Sequence, residues 1–412
     1  MSHGFFTVIS PAQFRELLRG FAPLPAETVP LADCLGRCLA KDMASPEDLP
    51  PADRSCMDGF ALRAADTFGA SDSSPAYLDV CASLAIDQVP DFTLQPGQAA
   101  AIPTGGNLPD GADAVVMIEH TEDLGGGAIE VRASLAPGQY VMLRGEDVER
   151  GLPALTAGTR LRAQEVGLLS ALGVTEALVG RRPRTGILST GDELVPASAM
   201  PRPGQIRDVN SPALAALAAQ AGGDPALLGL VPDDIDSLTK ALHDAVGRCD
   251  CVFVSGGSSV GVRDLTVQAL ENIGAGILAH GVALSPGKPT ILADADGVPV
   301  FGLPGQVTSA QVVMLVFGAP LLAHLSGDAA AFDETLRPLR RAELAANLAS
   351  SKGREDYVRV RLEPRSGQLP LAIPVTGKSG LLRTMLLAHG LVRIDARSEG
   401  LNVGTEVDVW LM

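Results

Sequence analysis

The spacing of apolar residues changes several times along the chain. Between residues 8 and 22, Phe14, Leu17, Leu18 and Phe21 recur at helical intervals. Ser10 and Pro11 fall at the cap and first-turn positions, so the segment predicts an amphipathic helix. Residues 24–50 are rich in Pro, Ala and Leu, with a short helix expected near Ala32–Ala40. From 51 to 150 the pattern becomes strand-like, with Tyr77–Ala82, Ala114–Glu119 and Ala128–Arg132 separated by Gly, Pro and Asp turns. No long helical period interrupts it, which predicts a mostly β insertion. A helix is expected from Ala163 to Leu172, closed by Gly173. Residues 184–326 follow another rhythm. Strands Thr185–Ser189, Ala226–Val231, Cys251–Ser255, Ile277–Val282 and Val298–Gly302 are separated by helices Ser211–Ala221, Ile235–Gly247 and Leu265–Ile273, with a further helix after Gly305. Such alternation means βαβ units and a parallel sheet. Residues 330–412 return to short strands, Tyr357–Leu362, Leu391–Ile394 and Glu406–Leu411, and suggest a small β domain.

Length and charge narrow the function classes. At roughly 150 residues per domain, 412 residues make two to four domains. A hydrophobic share of 46% is ample for packed cores and excludes a disordered chain. The net charge of −16 repels phosphate backbones and anionic lipid, which speaks against nucleic-acid and membrane-surface partners. An anionic ligand then needs a locally basic or amide-lined pocket. Cys34 and Cys38 are spaced like half a metal site and Cys249 lies near Cys251, but neither pair has a second Cys/His cluster, so reduced core thiols are expected. Val312 to Leu325 is apolar but broken by Gly318 and Pro320, shorter than the roughly 20 residues of a membrane span, and reads as a buried helix. The N-terminus carries no signal-peptide pattern, and a cytoplasmic location is expected.

Ligands on an open parallel sheet bind beyond the carboxyl ends of its strands. Three loops there stand out. Ser189-Thr190-Gly191-Asp192-Glu193-Leu194 carries two acids in a small-residue turn. Ser255-Gly256-Gly257-Ser258-Ser259-Val260-Gly261, followed by Asp264, offers amide and hydroxyl donors for an anion at a helix start, without matching the dinucleotide or Walker patterns. Ser285-Pro286-Gly287-Lys288-Pro289 holds a lysine between prolines, and Phe301-Gly302-Leu303-Pro304-Gly305-Gln306 again turns strand into helix. Acids in glycine-bearing loops elsewhere, Asp58 in Ser55–Ala61 and Asp147 in Arg144-Gly145-Glu146-Asp147, would repel a phosphorylated ligand unless a divalent cation lay between. No nucleophile elbow supports a Ser–His–Asp reading, and His280 and His389 read as turn or strand-edge residues.

Taken together, these segments resemble the molybdopterin molybdenumtransferases of molybdenum-cofactor synthesis, related to the E domain of gephyrin. The motifs that carry the resemblance run over nearly the whole chain. They are Ser55–Ala61, Pro103-Thr104-Gly105-Gly106 with 111–116, Arg144–Asp147, Ser189–Leu194, the Ser-Gly-Gly loop with Asp264, Pro286–Pro289 and Gly302–Gly305. The resemblance implies an α/β multidomain fold. A three-layer, parallel-sheet molybdopterin-binding domain would span 7–26 and 178–327, a linker and dimerisation domain 27–46 and 148–177, a β-rich insertion 47–147, and a small C-terminal β domain 328–412. It implies a homodimeric, Mg²⁺-dependent transferase that inserts molybdate into adenylylated molybdopterin and releases AMP. It further implies the upstream adenylyltransferase as a partner. Residue by residue, it makes Asp58, Glu193, Asp264 and Lys288 catalytic, with Glu193 and Asp264 on the metal. It assigns Thr104, Asp147, Asp234, Ser255, Gly256, Gly257, Ser258, Pro304, Gly305, Arg354 and Ser379 to substrate. The chain departs from the pattern at Gln306-Val307-Thr308, where Asn-Pro-Val is usual, and at Ser285, where Lys or Met is usual. These departures leave open a molybdopterin-binding paralogue with reduced or altered insertion activity, or a non-enzymatic scaffold.

Overall fold

A computed structural model describes residues 8–256 and 260–412, and every described side chain except those of 260–264. The chain forms two compact units. One holds the residues through 41, 157–162 and 177–412; the other holds 42–156 and 163–176.

The first unit is built on a six-stranded sheet. Its strands are β1 (Arg184–Thr190), β2 (Asp224–Val231), β3 (Cys251–Gly256), β4 (Gly276–His280), β5 (Ile291–Ala295) and β6 (Val298–Pro304). The spatial order is β2-β1-β3-β6-β5-β4. β2, β1, β3 and β6 run parallel as expected, whereas β5 is antiparallel to both its neighbours, β6 and β4, so that β4 again points with the parallel set. The cause is a tight hairpin between β5 and β6, where Asp296 and Gly297 take positive φ and the Asp294 carboxylate accepts the Gly297 amide. Strand β5 escapes the hydropathy pattern because its short apolar run follows directly on the Pro289 turn.

Side-chain alternation along the central strands defines three layers. Ile187, Cys251, Phe253 and Phe301 face one side, where they pack with Phe14 and Leu18 of α1 (Pro11–Arg19) and Leu214 and Ala218 of α2 (Asn210–Gln220). Leu188, Val252, Val254 and Val300 face the other, against Leu238 and Leu242 of α3 (Ile235–Val246) and Ala269 and Leu270 of α4 (Val260–Asn272). α1 begins as its sequence suggests, with Pro11 in its first turn and Ser10 and Gln13 forming a reciprocal capping box.

The apolar stretch Val312–Leu325, expected as a buried helix, is one, and neither Gly318 nor Pro320 breaks it. One helical segment runs from Val307 to Leu325, 19 residues, and most of it is buried inside the protein. A π-turn over Met314–Gly318 leads into α5 (Ala319–Leu325), which absorbs the missing N–H of Pro320. Gly318 is required there, because a Cβ would lie 2.4 Å from Met314 Sδ and 3.1 Å from the Phe253 ring.

The C-terminal part of this unit is a second six-stranded sheet, which includes Leu339–Leu344, Glu355–Glu363, Gly390–Ile394 and Glu406–Leu411. The pair Leu284–Ser285 joins it, parallel to Glu355 and Asp356, and so ties the Lys288 turn to this sheet. The other unit is mostly β, as expected. Its six-stranded sheet runs Ala114–Met117, Gly59–Leu62, Gln98–Ile102, Ala76–Ser83, Ala128–Val131 and Thr121–Gly125, and one helix spans Ala163–Ala171. The helix expected near Ala32–Ala40 is only a single 3₁₀ turn, Leu31–Asp33. All six cysteines are free, and burial pushes the Cys38 thiol up to about 11.

Candidate functional site

The carboxyl ends of β1, β3 and β6 meet at a cavity of about 260 Å³. Thr190 and Glu193 line it from the loop after β1, Ser255 and Gly256 from the end of β3, and Gly305 and Gln306 from the turn after β6. Asp208, Val209 and Asn210 at the entry to α2 add to its wall, with Leu194, Ile206 and Arg207 before them and Val307 and Gly380 from elsewhere. The strand ends are buried, so their polar groups are paired. Ser189 Oγ lies 2.8 Å from Ser211 Oγ, and Thr190 donates to Asp233 at 2.6 Å. Asp208 accepts the amides of Asn210 and Ser211 at 3.0 and 3.1 Å and so caps the start of α2.

Asn210 fixes the geometry of this cavity. Its Nδ2 donates to Ser255 Oγ at 2.6 Å and to the Gly305 carbonyl at 2.9 Å, clamping the ends of β3 and β6 together. A carbonyl only accepts, so the amide orientation is set by its partners. Its Oδ1 is buried and has no hydrogen-bond partner. Glu193 folds back over Gly191, its Oε2 only 2.9 Å from where a Cβ at 191 would sit.

A second cavity, about 490 Å³, lies beside the Pro286–Pro289 turn. Lys288, Lys352 and Arg354 line it together with Ser285, Ser309 and Ser379. Gly287 has φ +128°, and a Cβ there would meet Val313 and Leu284 at 2.6 and 2.7 Å. The Thr290 hydroxyl donates to the Gly287 carbonyl at 2.7 Å, and the Val282 amide to that of Lys288 at 2.9 Å. The Lys288 backbone is therefore fixed, while its side chain is exposed. Arg354 pairs with buried Asp356, Nε to Oδ1 at 3.0 Å, and Ser350 supports that carboxylate at 2.6 Å. Gly287→Ala should lower the stability of this unit by roughly 1–3 kcal/mol, through both the clash and the strained φ, and displace Lys288. Thermal unfolding checks it, and an unchanged melting temperature would contradict the packing described.

Thr308 joins the two cavities. Its amide and its hydroxyl donate to the same carbonyl, that of Ser379, at 3.1 and 2.8 Å. Val307 and Gly380 line the smaller cavity, while Ser309 and Ser379 line the larger one. Ser379 and Gly380, neighbours in the chain, thus stand one in each wall.

In the other unit the Asp58 carboxylate accepts the Thr104 amide at 2.7 Å and its hydroxyl at 3.0 Å. Those two bonds, the amide first, hold Asp58 below the ordinary carboxylate range. The interaction stabilises the folded state above that range and is lost as pH falls through the depressed value. Thr104→Val removes the hydroxyl alone and should move the Asp58 carboxyl titration partway back up. An NMR titration reads this, and an unmoved carboxyl would separate the two residues. Asp147 lies on an exposed loop of the same unit, and its amide bonds the Leu49 carbonyl at 3.0 Å.

The structure therefore sorts the expected residues into groups. Glu193, Ser255, Gly256 and Gly305 share the smaller cavity, with Pro304 paired to Gly256 beside it. Lys288, Arg354 and Ser379 share the larger one. Asp58 touches Thr104 in the other unit. Asp234 lines neither cavity: it is the N-cap of α3, accepting the Ser237 amide at 2.9 Å, and that bond lowers its pKa. Gly257 and Ser258 lie outside the described residues, as does the side chain of Asp264, whose backbone is in α4. Among the described residues no three His, Cys, Asp or Glu side chains cluster as a metal site. His389 accepts the Leu362 amide at 3.1 Å, a strand-edge role. Sequence reasoning missed Asn210, Asp208 and Lys352. Asp208 and Asn210 read as ordinary polar residues before a helix, and Lys352 as a loop lysine.

Comparison with known proteins adds to this geometry. Residues 9–173 match the MoeA N-terminal region (domain I and II), residues 186–324 a probable molybdopterin binding domain, and residues 341–412 the MoeA C-terminal region (domain IV). A molybdopterin molybdenumtransferase of Nostoc sp. is 38% identical over 335 residues, 81% of this chain and 76% of the relative. One from Bacillus subtilis is 33% identical over 391 residues, 94% of this chain and 90% of the relative. The crystal structure of a molybdopterin biosynthesis MoeA protein from Pyrococcus horikoshii OT3 has a TM-score of 0.84 at 30% identity, covering 98% of this chain and 100% of that one.

Proposed function

This chain belongs to the MoeA family of molybdopterin molybdenumtransferases, and we propose on that premise that it inserts molybdate into adenylylated molybdopterin and releases AMP. The observation that carries the reading is the pair of neighbouring cavities. One is lined by amides, hydroxyls, the Glu193 and Asp208 carboxylates and a single cation, Arg207, and the other by three cations and no carboxylate, on a chain whose net charge is −16. A pterin joined to a nucleotide through two phosphates has two such ends. The unpartnered Asn210 Oδ1 suits an N–H of the pterin. Lys288 and Arg354 suit the pyrophosphate, whose P–O cleavage by water releases AMP and leaves molybdopterin with its own phosphate. The sulfurs that receive molybdenum belong to the substrate, and none of the six cysteines lines either cavity.

Mg²⁺ belongs to this proposal. It binds through one or two carboxylates, with water and substrate phosphate completing its shell, so the absence of a preformed acidic cage among the described residues is compatible with it. Glu193 would hold it from the cavity wall, with Asp264 as the second carboxylate that the family pattern supplies. Bound there, it neutralises phosphate charge. We place the protein in the cytoplasm as a homodimer, which the family pattern and the free thiols support.

The test mixes purified protein with adenylylated molybdopterin, molybdate and Mg²⁺. AMP should appear, and the product should reconstitute a cofactor-free molybdenum enzyme. No AMP, with a working relative run in parallel, overturns the proposal. A chelator should abolish turnover and added Mg²⁺ restore it; unaffected turnover removes the metal from the mechanism. The departures at Gln306–Thr308 do not favour a binding-only protein. The Gln306 carbonyl accepts the amides of Ser309 and Ala310, and Thr308 gains a hydroxyl bond that the usual valine lacks.

A further inference from the structure

We infer that Lys352, paired with Glu399, is an anion-binding residue of the larger cavity, and that Glu399 competes with the substrate phosphates for it. The inference rests on the proposed function and assigns part of its phosphate recognition to a residue outside the expected set. Three cations line this cavity, but they are not equivalent. Arg354 is committed to Asp356, a carboxylate with only 8% of its side chain exposed, so much of its charge is already matched. Lys288 has no salt bridge among the described residues. Lys352 has one, to Glu399 at 3.3 Å, between side chains 64% and 76% exposed. A pair that exposed is held weakly and exchanges readily for a better anion. The backbone places Lys352 for that exchange: the Gly353 amide bonds the Ala396 carbonyl at 2.7 Å, and the Glu355 amide bonds the Ala283 carbonyl at 2.9 Å. The segment that carries Lys352 is thus tied on one side to the loop before Glu399 and on the other to the strand that leads into the Lys288 turn. A diphosphate brings more negative charge than Lys288 alone can meet, and Lys352 is the remaining cation in the wall.

The two residues predict opposite effects, which a merely structural ion pair would not give. The probe is AMP, titrated calorimetrically into the intact protein, with adenosine as the uncharged control. Lys352→Ala should weaken AMP binding about tenfold and leave adenosine binding unchanged. Lys352→Arg should keep most of the affinity. Glu399→Gln should tighten AMP binding about threefold and steepen its dependence on salt at low ionic strength. Ser285 lines the same cavity, so adding Ser285→Lys to Lys352→Ala should recover affinity. AMP affinity within twofold of normal in Lys352→Ala overturns the inference, and so does weaker binding in Glu399→Gln or no AMP binding by the unaltered protein. AMP release from adenylylated molybdopterin, measured on the same preparations, separates the cases. Turnover with no Lys352 effect sinks only this assignment, whereas absent turnover sinks the proposed function.

Discussion

Lys288→Ala should lower kcat/KM for adenylylated molybdopterin about 100-fold without unfolding the protein. The turn that carries Lys288 is rigid for reasons independent of its side chain: Gly287 fits where no Cβ can, and Thr290 and Val282 hold the flanking carbonyls. Deleting the ammonium therefore leaves the backbone in place and removes only charge. The side chain forms no salt bridge among the described residues, so it is free to meet the phosphates. A cation aimed at charge developing on a leaving phosphate contributes about 3 kcal/mol to the barrier, the equivalent of that factor. Lys288→Arg should recover part of the rate, because the guanidinium keeps the charge but not its compact placement. Steady-state AMP release measures both variants. A Lys288→Ala rate within threefold of normal would mean that the larger cavity does not hold the reacting phosphates.

Phe14→Ala should cost about 3–5 kcal/mol, a large fraction of the stability of the first unit. Phe14 is fully buried between Phe317, at a centroid distance of 4.5 Å, and Phe301, at 5.8 Å. Removing it opens a void between α1 and the sheet that the aromatic neighbours cannot fill without leaving their own contacts. The next residue of α1, Arg15, bonds the Tyr357 hydroxyl at 3.2 Å and forms salt bridges with Glu334 and Glu355. Loosening α1 therefore weakens a part-buried polar network as well as the core. The single tryptophan, Trp410, packs on Tyr357 with ring centroids 5.3 Å apart, so its fluorescence reports this region directly. Denaturant unfolding followed at Trp410 should show an earlier midpoint. An unchanged midpoint would mean that α1 contributes little to the unit.

The parts legible in the sequence are those where one physical signal dominates. The buried strands Arg184–Thr190 and Cys251–Gly256 are apolar over their length, and α1 carries its own cap, so both could be read directly. The loops at the strand ends were also legible, because glycine and proline mark them, and two groups of expected residues do share cavities. What could not be read depends on side chains from distant segments. The clamp from Asn210 to Gly305 spans 95 positions, and the bond from Thr308 to Ser379 spans 71. Asp234 shows how a local role hides in the sequence: expected at the substrate from the family pattern, it lines neither cavity here, and its carboxylate accepts the amide that starts a helix. The buried helix expected over Val312–Leu325 is there, but it starts at Val307 and runs on through Pro320; a proline usually ends a helix, and only a π-turn that the sequence does not announce lets this one continue.

The carbonyl of Ser379 gives the walls of the two cavities a common mechanical reference. Any shift of that peptide reaches Thr308 through two bonds at once, and through it Val307 in one wall and Ser309 in the other. Under the proposed function, a ligand seated in either cavity would therefore register in the other without any movement of the sheet beneath.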